Sequence, residues 1–156
     1  PELFAYFTQD NRQYLLQEFI KGKNLHQELE DSGAFNESQI LELLKSLLPV
    51  LEFIDSKQVI HRDIKPENII RRKKDNQLVL VDFGAAKYAT MSALGRMGTI
   101  IVSGCYVAPE QSVGKATFAS DIYSLGVTCI HLLTGVEPFN LFDVTEGEWV
   151  WRDYLQ

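Results

Sequence analysis

The spacing of three short motifs constrains this chain more than any other feature of its sequence. The first motif, at positions 61–68, reads HRDIKPEN and places an acid, a cation and an amide within eight residues. The second, Asp82-Phe83-Gly84, begins 14 residues after Asn68 and follows an apolar run typical of a strand. The third, Ala108-Pro109-Glu110, begins 24 residues after Gly84. Three such matches in this order rarely coincide by chance, so we interpret them as parts of one site.

The residue types in these motifs suit phosphoryl transfer, which depends on positioning and charge neutralisation more than on covalent chemistry. Asp63 can orient an attacking hydroxyl and accept its proton, and Lys65 can offset negative charge on the transferred group. Asn68 and Asp82 offer the hard oxygen atoms that Mg²⁺ prefers. Gly84 lets the backbone turn sharply after Asp82. The pattern therefore predicts a magnesium-dependent site for phosphoryl transfer.

The composition is typical of one globular domain or of part of one, with 46% hydrophobic and 23% charged residues among 156. The formal net charge of −6 argues against a nucleic-acid partner, because phosphate contacts need clustered Lys and Arg. The one basic run, at 71–74, is followed by Asp75-Asn76, and we interpret it as a solvated hairpin tip.

The two cysteines, Cys105 and Cys129, form neither a disulfide framework nor a metal-binding motif. A reducing compartment is the simplest inference, so we expect a cytoplasmic location. No apolar run approaches the roughly 18 residues that span a bilayer, and we expect no membrane contact from this segment. Because the chain opens with Pro1 instead of Met, we expect it to be a piece of a longer polypeptide.

Hydrophobic patterning predicts a mainly helical α+β body with a little sheet. Aromatic and aliphatic runs at 2–8 and 13–19 predict a hairpin, and short strands are expected at about 67–71 and 77–81. The segment 85–107 has no clear period and is typical of a long functional loop. The tail at 148–155 suggests the start of another helix.

Three helices are predicted from capping residues and apolar periodicity. Asn24 should cap a short helix that runs to about Glu30. Asn36 should cap a longer one, kinked at Pro49 and buried along a wide apolar stripe. Ser120 should cap a third helix at 121–134, which is apolar nearly all round and therefore expected to be central. The stripe of the second helix contains Ile40, Leu43, Leu44, Leu47, Leu51 and Ile54.

The motifs and the sequence around them, including DFGAAK, YVAPEQ and ASDIYSLGVTCIHLLTG, resemble the large lobe of a Hanks-type Ser/Thr protein kinase. The residues around the motifs look most like those of the bacterial, cyanobacterial branch. The resemblance covers nearly the whole chain. It implies a protein-kinase-like α+β fold, with a mainly helical C-terminal lobe, small β-hairpins and an N-terminal lobe that is largely absent. Residues 1–19 would be the last small-lobe strands, 18–23 the hinge and 24–156 an incomplete large lobe.

The resemblance implies ATP-dependent phosphorylation of Ser or Thr hydroxyls in a protein substrate, with ATP and Mg²⁺ as cofactors. Lys65, two residues after Asp63, follows the Ser/Thr-type pattern. Backbone groups of Glu18 and Ile20 would bind the adenine in the hinge, next to Gln17 as gatekeeper. Ile70 would pack under the adenine, which is compatible with an ordinary place in a strand.

The resemblance also implies regulation by phosphorylation of the loop before Ala108. The guanidinium of Arg62 would pair with a phosphate there. Thr90, Ser92 and Thr99 are the candidate sites, although hydroxyls are common in any polar loop. Ser103 occupies a position that is usually Thr in the family, where the hydroxyl contacts the catalytic Asp and Lys.

A further group of motif residues would be structural. Asp121 would tie the catalytic loop to the central helix, while His61 and Phe83 would stack in the spine above it. Gly84 would serve the turn after Asp82. Glu110 usually pairs with an Arg that would lie downstream of residue 156.

Other elements of the family are not found in this sequence, which contains neither G-x-G-x-x-G nor an Ala-x-Lys strand before the hinge. We expect them upstream of Pro1, so the 156-residue chain alone is expected to be inactive. One alternative is a pseudokinase that acts as a scaffold or regulatory binding module, which loss of the upstream Lys would favour. Another is a small-molecule kinase, which the Ala108-Pro109-Glu110 segment disfavours.

Overall fold

The protein has an α+β architecture, and within residues 1–83 and 105–155 four helices and three small antiparallel sheets surround one apolar core. The computed structural model describes residues 1–83 and 105–155. The strands are β1 (Leu3–Gln9), β2 (Arg12–Gln17), β3 (Gly22–Asn24), β4 (Ile69–Arg72), β5 (Leu78–Leu80), β6 (Phe142–Asp143) and β7 (Glu148–Trp149). The helices are α1 (Leu25–Ser32), α2 (Glu37–Ser56), α3 (Pro109–Ser112) and α4 (Phe118–Thr134), with 3₁₀ turns at Pro66–Asn68, Pro138–Leu141 and Trp151–Tyr154.

The predicted N-terminal hairpin is confirmed as β1 and β2, which pair antiparallel. Its two turn residues, Asp10 and Asn11, have φ values of 50° and 58°. Positive φ at both central residues matches the right-handed twist of the flanking strands, which is why Asp and Asn are favoured there. Phe7 and Tyr14 stack across the pair with ring centroids 5.2 Å apart.

The second sheet, in the order β3-β4-β5, contains both predicted short strands and one that the sequence did not predict. The strand β3 is only three residues long, so it offers too few positions for an alternating pattern. Lys73 and Lys74 lie at the β4–β5 turn and are exposed, as predicted for the basic run. The prediction was wrong for Arg71, which lies within β4, is partly buried and pairs with Glu28 at 2.9 Å. Arg72 Nη2 lies 2.7 Å from Asp75 Oδ2 and closes this turn.

The caps predicted for the first two helices are confirmed, and each is a reciprocal capping box. Asn24 Oδ1 accepts from the Gln27 N–H at 2.8 Å, and Asn36 Oδ1 accepts from the Gln39 N–H at 3.0 Å. The helix α2 continues on both sides of Pro49. Its buried face packs into a core built from Leu25, Leu29, Phe35, Leu43, Leu47, Leu51, Ile54, Ile64, Ile69, Leu78, Leu80, Leu125 and Leu132.

The cap predicted for the third helix was wrong, because α4 begins three residues earlier, at Phe118, with Thr117 as its N-cap. Ser120 lies within the first turn, where its hydroxyl accepts from the Thr117 N–H at 3.0 Å. The helix is central but not apolar all round. Ile122 is half exposed, whereas Asp121 and His131 are buried on the inner face.

The helix predicted for the tail is also replaced, by β7 and a 3₁₀ turn. Phe142 pairs with Trp149 across β6 and β7, and their rings meet edge to face with centroids 5.2 Å apart. Gly147, with a φ of 71°, forms the hairpin tip. Cross-strand aromatic packing therefore overrides the helical pattern of this segment. No helix within the two described ranges is long and apolar enough to cross a membrane.

Gly22 is predicted to be essential for the β3–β4 pair, because a Cβ there would lie 2.0 Å from the carbonyl oxygen of Arg71. We expect Gly22→Ala to lower the free energy of unfolding by about 2 kcal/mol or more, since the backbone of β4 would have to shift. Urea unfolding of the protein that contains this chain checks this. The matched control is Gly126→Ala in α4, where a Cβ has no heavy atom within 4 Å and should be neutral or slightly stabilising. An equal effect of the two substitutions would contradict the close-approach argument.

Candidate active site

The segment 61–68 connects α2 to β4 as a loop fixed by buried side chains. His61, Ile64 and Pro66 are almost completely buried, and Pro66 begins the 3₁₀ turn that leads into β4. Proline suits this position because its φ is already set and the first turn needs no N–H donor. The polar side chains between these anchors therefore have defined positions.

Asp63, Lys65 and Asn68, the three predicted catalytic residues, come together in this loop. Asn68 Nδ2 donates to the Asp63 backbone carbonyl at 2.7 Å and to Asp63 Oδ2 at 2.8 Å. Lys65 Nζ lies 3.1 Å from Asp63 Oδ1. Because the amide nitrogen of Asn68 makes both contacts with Asp63, its amide oxygen is the atom left to face a cation.

Asp121 anchors the loop to α4, as the resemblance implied. Its side chain is 3% exposed, and its two oxygens accept from the backbone N–H groups of His61 and Arg62, each at 2.8 Å. Arg62 has a φ of 72°, which costs energy for a residue with a side chain. Two charge-assisted hydrogen bonds in a buried setting offset that cost and hold Asp63, the next residue, in place.

His61 links the loop to the end of β5. Its Nε2–H donates to the Val81 carbonyl at 2.9 Å, while Nδ1 accepts from the Asp63 N–H at 3.3 Å. Burial lowers the pKa of His61, so this neutral tautomer is the form present at pH 7. The Phe83 ring meets the imidazole edge to face with centroids 4.8 Å apart, so both predicted spine residues are in contact.

Asp82 is exposed and adopts a φ of 63° immediately after Val81. Asp82 directly follows Val81, whose carbonyl accepts the hydrogen bond from His61, so the chain brings it to the end of β5 beside the loop 61–68. The Asp82 carboxylate and the Asn68 amide oxygen fit the usual environment of Mg²⁺, which takes one or two protein oxygens together with phosphate oxygens and water. The donor set is thus compatible with a bound magnesium–nucleotide complex.

The predicted hinge residues follow β2. The Glu18 N–H donates to the Glu2 carbonyl at 2.8 Å, which continues the hairpin pairing past Gln17. Ile20 is 5% exposed and anchors the chain before it enters β3. Ile70 lies on β4 opposite Asn24, so it belongs to the sheet that begins just after the hinge.

Gln111 and Tyr106 make hydrogen bonds that the sequence motifs did not predict. Gln111 Nε2 donates to the Arg62 carbonyl at 2.7 Å, and the Tyr106 hydroxyl bonds Nδ1 of His131 at 2.5 Å. Ser124 Oγ donates to the Tyr106 carbonyl at 2.7 Å. These bonds attach the segment 105–112 to both α4 and the catalytic loop. The sequence hints at them only through polar residues on an otherwise apolar helix.

Glu110 accepts a hydrogen bond from Ser120 Oγ at 2.5 Å, and this bond lowers its pKa. The Arg partner that the resemblance implied for it remains a prediction. Arg62 Nε is buried and has no hydrogen-bond partner within residues 1–83 and 105–155. The remaining predicted positions lie outside the described residues; they are Gly84, Thr90, Ser92, Thr99 and Ser103.

The chain matches a known protein family over nearly its whole length. Residues 2–152 match the family described as the protein kinase domain. The chain belongs to the protein kinase family. Members of this family transfer the terminal phosphate of ATP with the help of Mg²⁺. The resemblance drawn from the three motifs is therefore confirmed.

Several bacterial Ser/Thr kinases are similar to the chain. The chain is 42% identical to serine/threonine-protein kinase B of Synechocystis sp., an alignment that covers 99% of the chain and 29% of that protein. It is 46% identical to kinase C of the same organism, over 97% of the chain and 30% of the relative. It is 41% identical to PknA of Nostoc sp., over 99% of the chain and 28% of the relative. The chain thus spans less than a third of the length of these curated relatives.

Solved structures support the same fold. The crystal structure of the Mycobacterium tuberculosis PknI kinase domain superposes with a TM-score of 0.71 and 24% sequence identity. The match covers 88% of this chain and 50% of that kinase domain. The protein-kinase-like α+β fold expected from the sequence is confirmed.

His131 is predicted to make stability depend on pH. Burial lowers its pKa to about 4, with the charges of His26 and Glu67 as smaller influences, and Glu137 lies 3.9 Å from its Nε2. The imidazole of the unfolded chain, with a pKa near 6.5, binds a proton more readily than the buried imidazole does. The free energy of unfolding should therefore fall as the pH drops from about 6.5 towards 4. We expect a loss of about 1–2 kcal/mol from this group between pH 7 and pH 5.

The measurement is the urea midpoint of the domain as a function of pH, in wild type and His131→Gln. The urea midpoint of the variant should decline less steeply as the pH falls. The decline that remains should come from His61, whose pKa burial also lowers. Tyr106→Phe, which removes the hydroxyl and keeps the imidazole, is the matched control and should retain the decline. Identical pH profiles for wild type and His131→Gln would refute the assignment.

Proposed function

We propose that the protein containing this chain is an ATP-dependent Ser/Thr protein kinase that uses Asp63 as its base and Asn68 and Asp82 as its magnesium ligands. The single observation that carries the proposal is the Asp63–Lys65–Asn68 cluster, in which one amide nitrogen and one ammonium group both contact the same aspartate. The substrate would be a protein with an accessible Ser or Thr hydroxyl.

Each residue of the cluster has one task in this mechanism. Asp63 orients the acceptor hydroxyl and takes its proton as the oxygen attacks. Lys65, held at the Asp63 carboxylate, presents its charge to the group being transferred. ATP supplies the phosphoryl group, and Mg²⁺ offsets the charge of its phosphates. Asn68 and Asp82 would hold that ion from the same end of the β4–β5 hairpin, where Asn68 precedes β4 and Asp82 follows β5.

The adenine would bind at the hinge through the carbonyl of Glu18 and the N–H of Ile20. The Glu18 N–H is already bonded to Glu2, which leaves the Glu18 carbonyl as the group that can face a nucleotide. Ile70, only partly buried on β4, would supply apolar contact under the ring. The Gln17 side chain would border the same space as gatekeeper.

Regulation would act through Arg62. Its buried Nε has no partner among the described residues, so a phosphate placed nearby would complete its hydrogen bonding. Thr90, Ser92 and Thr99 are proposed as the positions that could carry this phosphate. The Ser103 hydroxyl is proposed to contact Asp63 and Lys65.

We also propose that the 156 residues alone do not catalyse the reaction. Residues 1–19 would be the last small-lobe strands, 18–23 the hinge and 24–156 part of the large lobe. A chain of this extent lacks the Gly-rich loop and strand lysine that hold the phosphates of ATP in other kinases. Orientation of the reactants accounts for several kcal/mol of the barrier, so its loss should abolish turnover.

Asp63→Asn and Asp82→Asn are predicted to fail in different ways in the full-length gene product. Asp63→Asn should reduce phosphotransfer by about 100-fold or more while nucleotide affinity stays nearly unchanged, because the base does not hold ATP. Asp82→Asn should reduce both phosphotransfer and nucleotide affinity, because it removes a metal ligand. Radiolabel transfer measures the first quantity, and titration with a fluorescent nucleotide at varied Mg²⁺ measures the second.

Glu52→Gln is the control, since Glu52 is an exposed carboxylate on α2 and should behave as wild type. Full activity of Asp82→Asn would exclude the metal assignment. Wild-type protein that binds nucleotide but transfers no phosphate to any acceptor would argue for a binding scaffold in place of an enzyme.

A further inference from the structure

The side chain of Gln111 has no part in the chemistry proposed so far, yet it contacts the catalytic loop. Gln111 lies in α3, directly after the third motif. Its Nε2 donates to the backbone carbonyl of Arg62 at 2.7 Å, across 49 residues of sequence. This distance is at the short end of the usual range of about 2.7–3.2 Å for N–H donors, which indicates a strong bond. The bond therefore connects α3 to the residue that precedes the proposed base.

The orientation of the Gln111 amide follows from its partner. A carbonyl oxygen only accepts, so the nitrogen of the amide must face Arg62. The other end of the amide, Gln111 Oε1, is buried and has no hydrogen-bond partner within residues 1–83 and 105–155. An unpaired buried acceptor costs free energy, which an apolar side chain of the same length would avoid. What favours glutamine at this position is therefore the donated bond itself.

The short helix α3 is attached to α4 beside Gln111. Glu110 accepts a hydrogen bond from Ser120 Oγ at 2.5 Å. Ser120 directly precedes Asp121, whose Oδ1 accepts from the Arg62 N–H at 2.8 Å. The backbone of Arg62 is thus bonded at its N–H by Asp121 and at its carbonyl by Gln111. Both bonds are fixed relative to the same turn of α4.

The peptide unit between Arg62 and Asp63 is planar and moves as one rigid body. Its carbonyl accepts from Gln111 at 2.7 Å, whereas its N–H donates to His61 Nδ1 at 3.3 Å, which is a longer and weaker bond. The φ of 72° at Arg62 adds strain, which only the surrounding contacts keep in place. Gln111 therefore supplies the stronger of the two bonds that hold this peptide, from which Asp63 extends.

We propose that Gln111 is a positioning residue for phosphoryl transfer, which holds the Arg62 carbonyl and thereby keeps the Asp63 carboxylate directed at the acceptor hydroxyl. This inference rests on the proposed kinase function and adds a residue that lies just outside the three motifs. Asn68 and Lys65 hold the carboxylate itself, whereas Gln111 holds the backbone that carries it. Gln111 contacts neither ATP nor the acceptor in this role, because it acts through Asp63.

The first test replaces Gln111 by Met in the full-length gene product, which keeps the length of the side chain and removes the donor. We expect the single-turnover rate of phosphoryl transfer at saturating ATP to fall by about tenfold, because the base is displaced without being removed. The KM for ATP should stay unchanged, since Asp63 does not hold the nucleotide. Rapid mixing with radiolabelled ATP measures the rate, with the Ser or Thr peptide that the wild type phosphorylates fastest as acceptor.

Ser124→Ala is the matched control for this substitution. Ser124 Oγ donates to the Tyr106 carbonyl at 2.7 Å, so the control also removes one side-chain donor from a backbone carbonyl. The bond that it removes does not involve the catalytic loop. We expect both variants to lower the urea midpoint, and only Gln111→Met to slow phosphoryl transfer. An equal loss of rate in the two variants would show that Gln111 only stabilises the segment 105–112, and it would overturn the proposal.

A double variant tests whether Gln111 acts through the base. In protein that already carries Asp63→Asn, the group that Gln111 positions is absent. Adding Gln111→Met should therefore slow the residual transfer by less than about twofold, because effects that pass through a shared partner do not add. A loss of rate as large as in the wild-type background would mean that Gln111 acts independently of Asp63, which contradicts the proposal.

Hydrogen exchange of the Asp63 amide separates this inference from the proposed kinase function. That N–H belongs to the peptide whose carbonyl Gln111 holds, so we expect Gln111→Met to speed its exchange by about fivefold or more. Ser124→Ala should leave the exchange rate unchanged. Wild-type protein that transfers no phosphate would reject the kinase function, and faster exchange in Gln111→Met would still retain the hold on the loop. Unchanged exchange in Gln111→Met would reject the positioning role whatever the activity.

Discussion

The arrangement of the candidate site depends on one buried carboxylate. Asp121, on the first turns of α4, accepts the backbone N–H groups of two successive loop residues, His61 and Arg62. A buried charge is tolerated only when it is paired or fully hydrogen-bonded, and here backbone donors supply those bonds. The central helix thereby determines where the catalytic loop lies, and the strained backbone at Arg62 persists because α4 holds it.

From this anchor the other contacts spread outward. His61 bonds the Val81 carbonyl, near the end of β5, through Nε2. Its Nδ1 accepts a hydrogen bond from the backbone N–H of Asp63. Gln111, within α3, also bonds the loop through the Arg62 carbonyl. Residues far apart in sequence thus share one hydrogen-bonded frame, in which a shift of α4 would move the proposed base, the proposed metal ligand and the segment 105–112 together.

Local signals in the sequence predicted most of the fold and the identity of the candidate site residues. Asn24 and Asn36 predicted helix starts because capping depends only on neighbours within one turn. The Ser120 cap failed because Thr117, three residues earlier, competes for the same role, and the start of a helix with polar residues on its buried face is hard to locate. The tail failed because pairing of Phe142 with Trp149 is a tertiary contact. The Gln111–Arg62 bond spans 49 residues, and no local pattern encodes it.

The hydrogen bonds of Asn68 restrict which side chain can occupy that position. Its nitrogen holds Asp63 in place. Its oxygen would bind the proposed magnesium ion, so both ends of the amide would have a role. An aspartate would offer the same oxygen, yet it would lose both donated bonds and set a second negative charge against Asp63. A glutamine would keep both groups but move them outward by one methylene. Asparagine therefore suits position 68 for three reasons. Its side chain has the length that reaches Asp63, its nitrogen donates both hydrogen bonds, and it carries no charge.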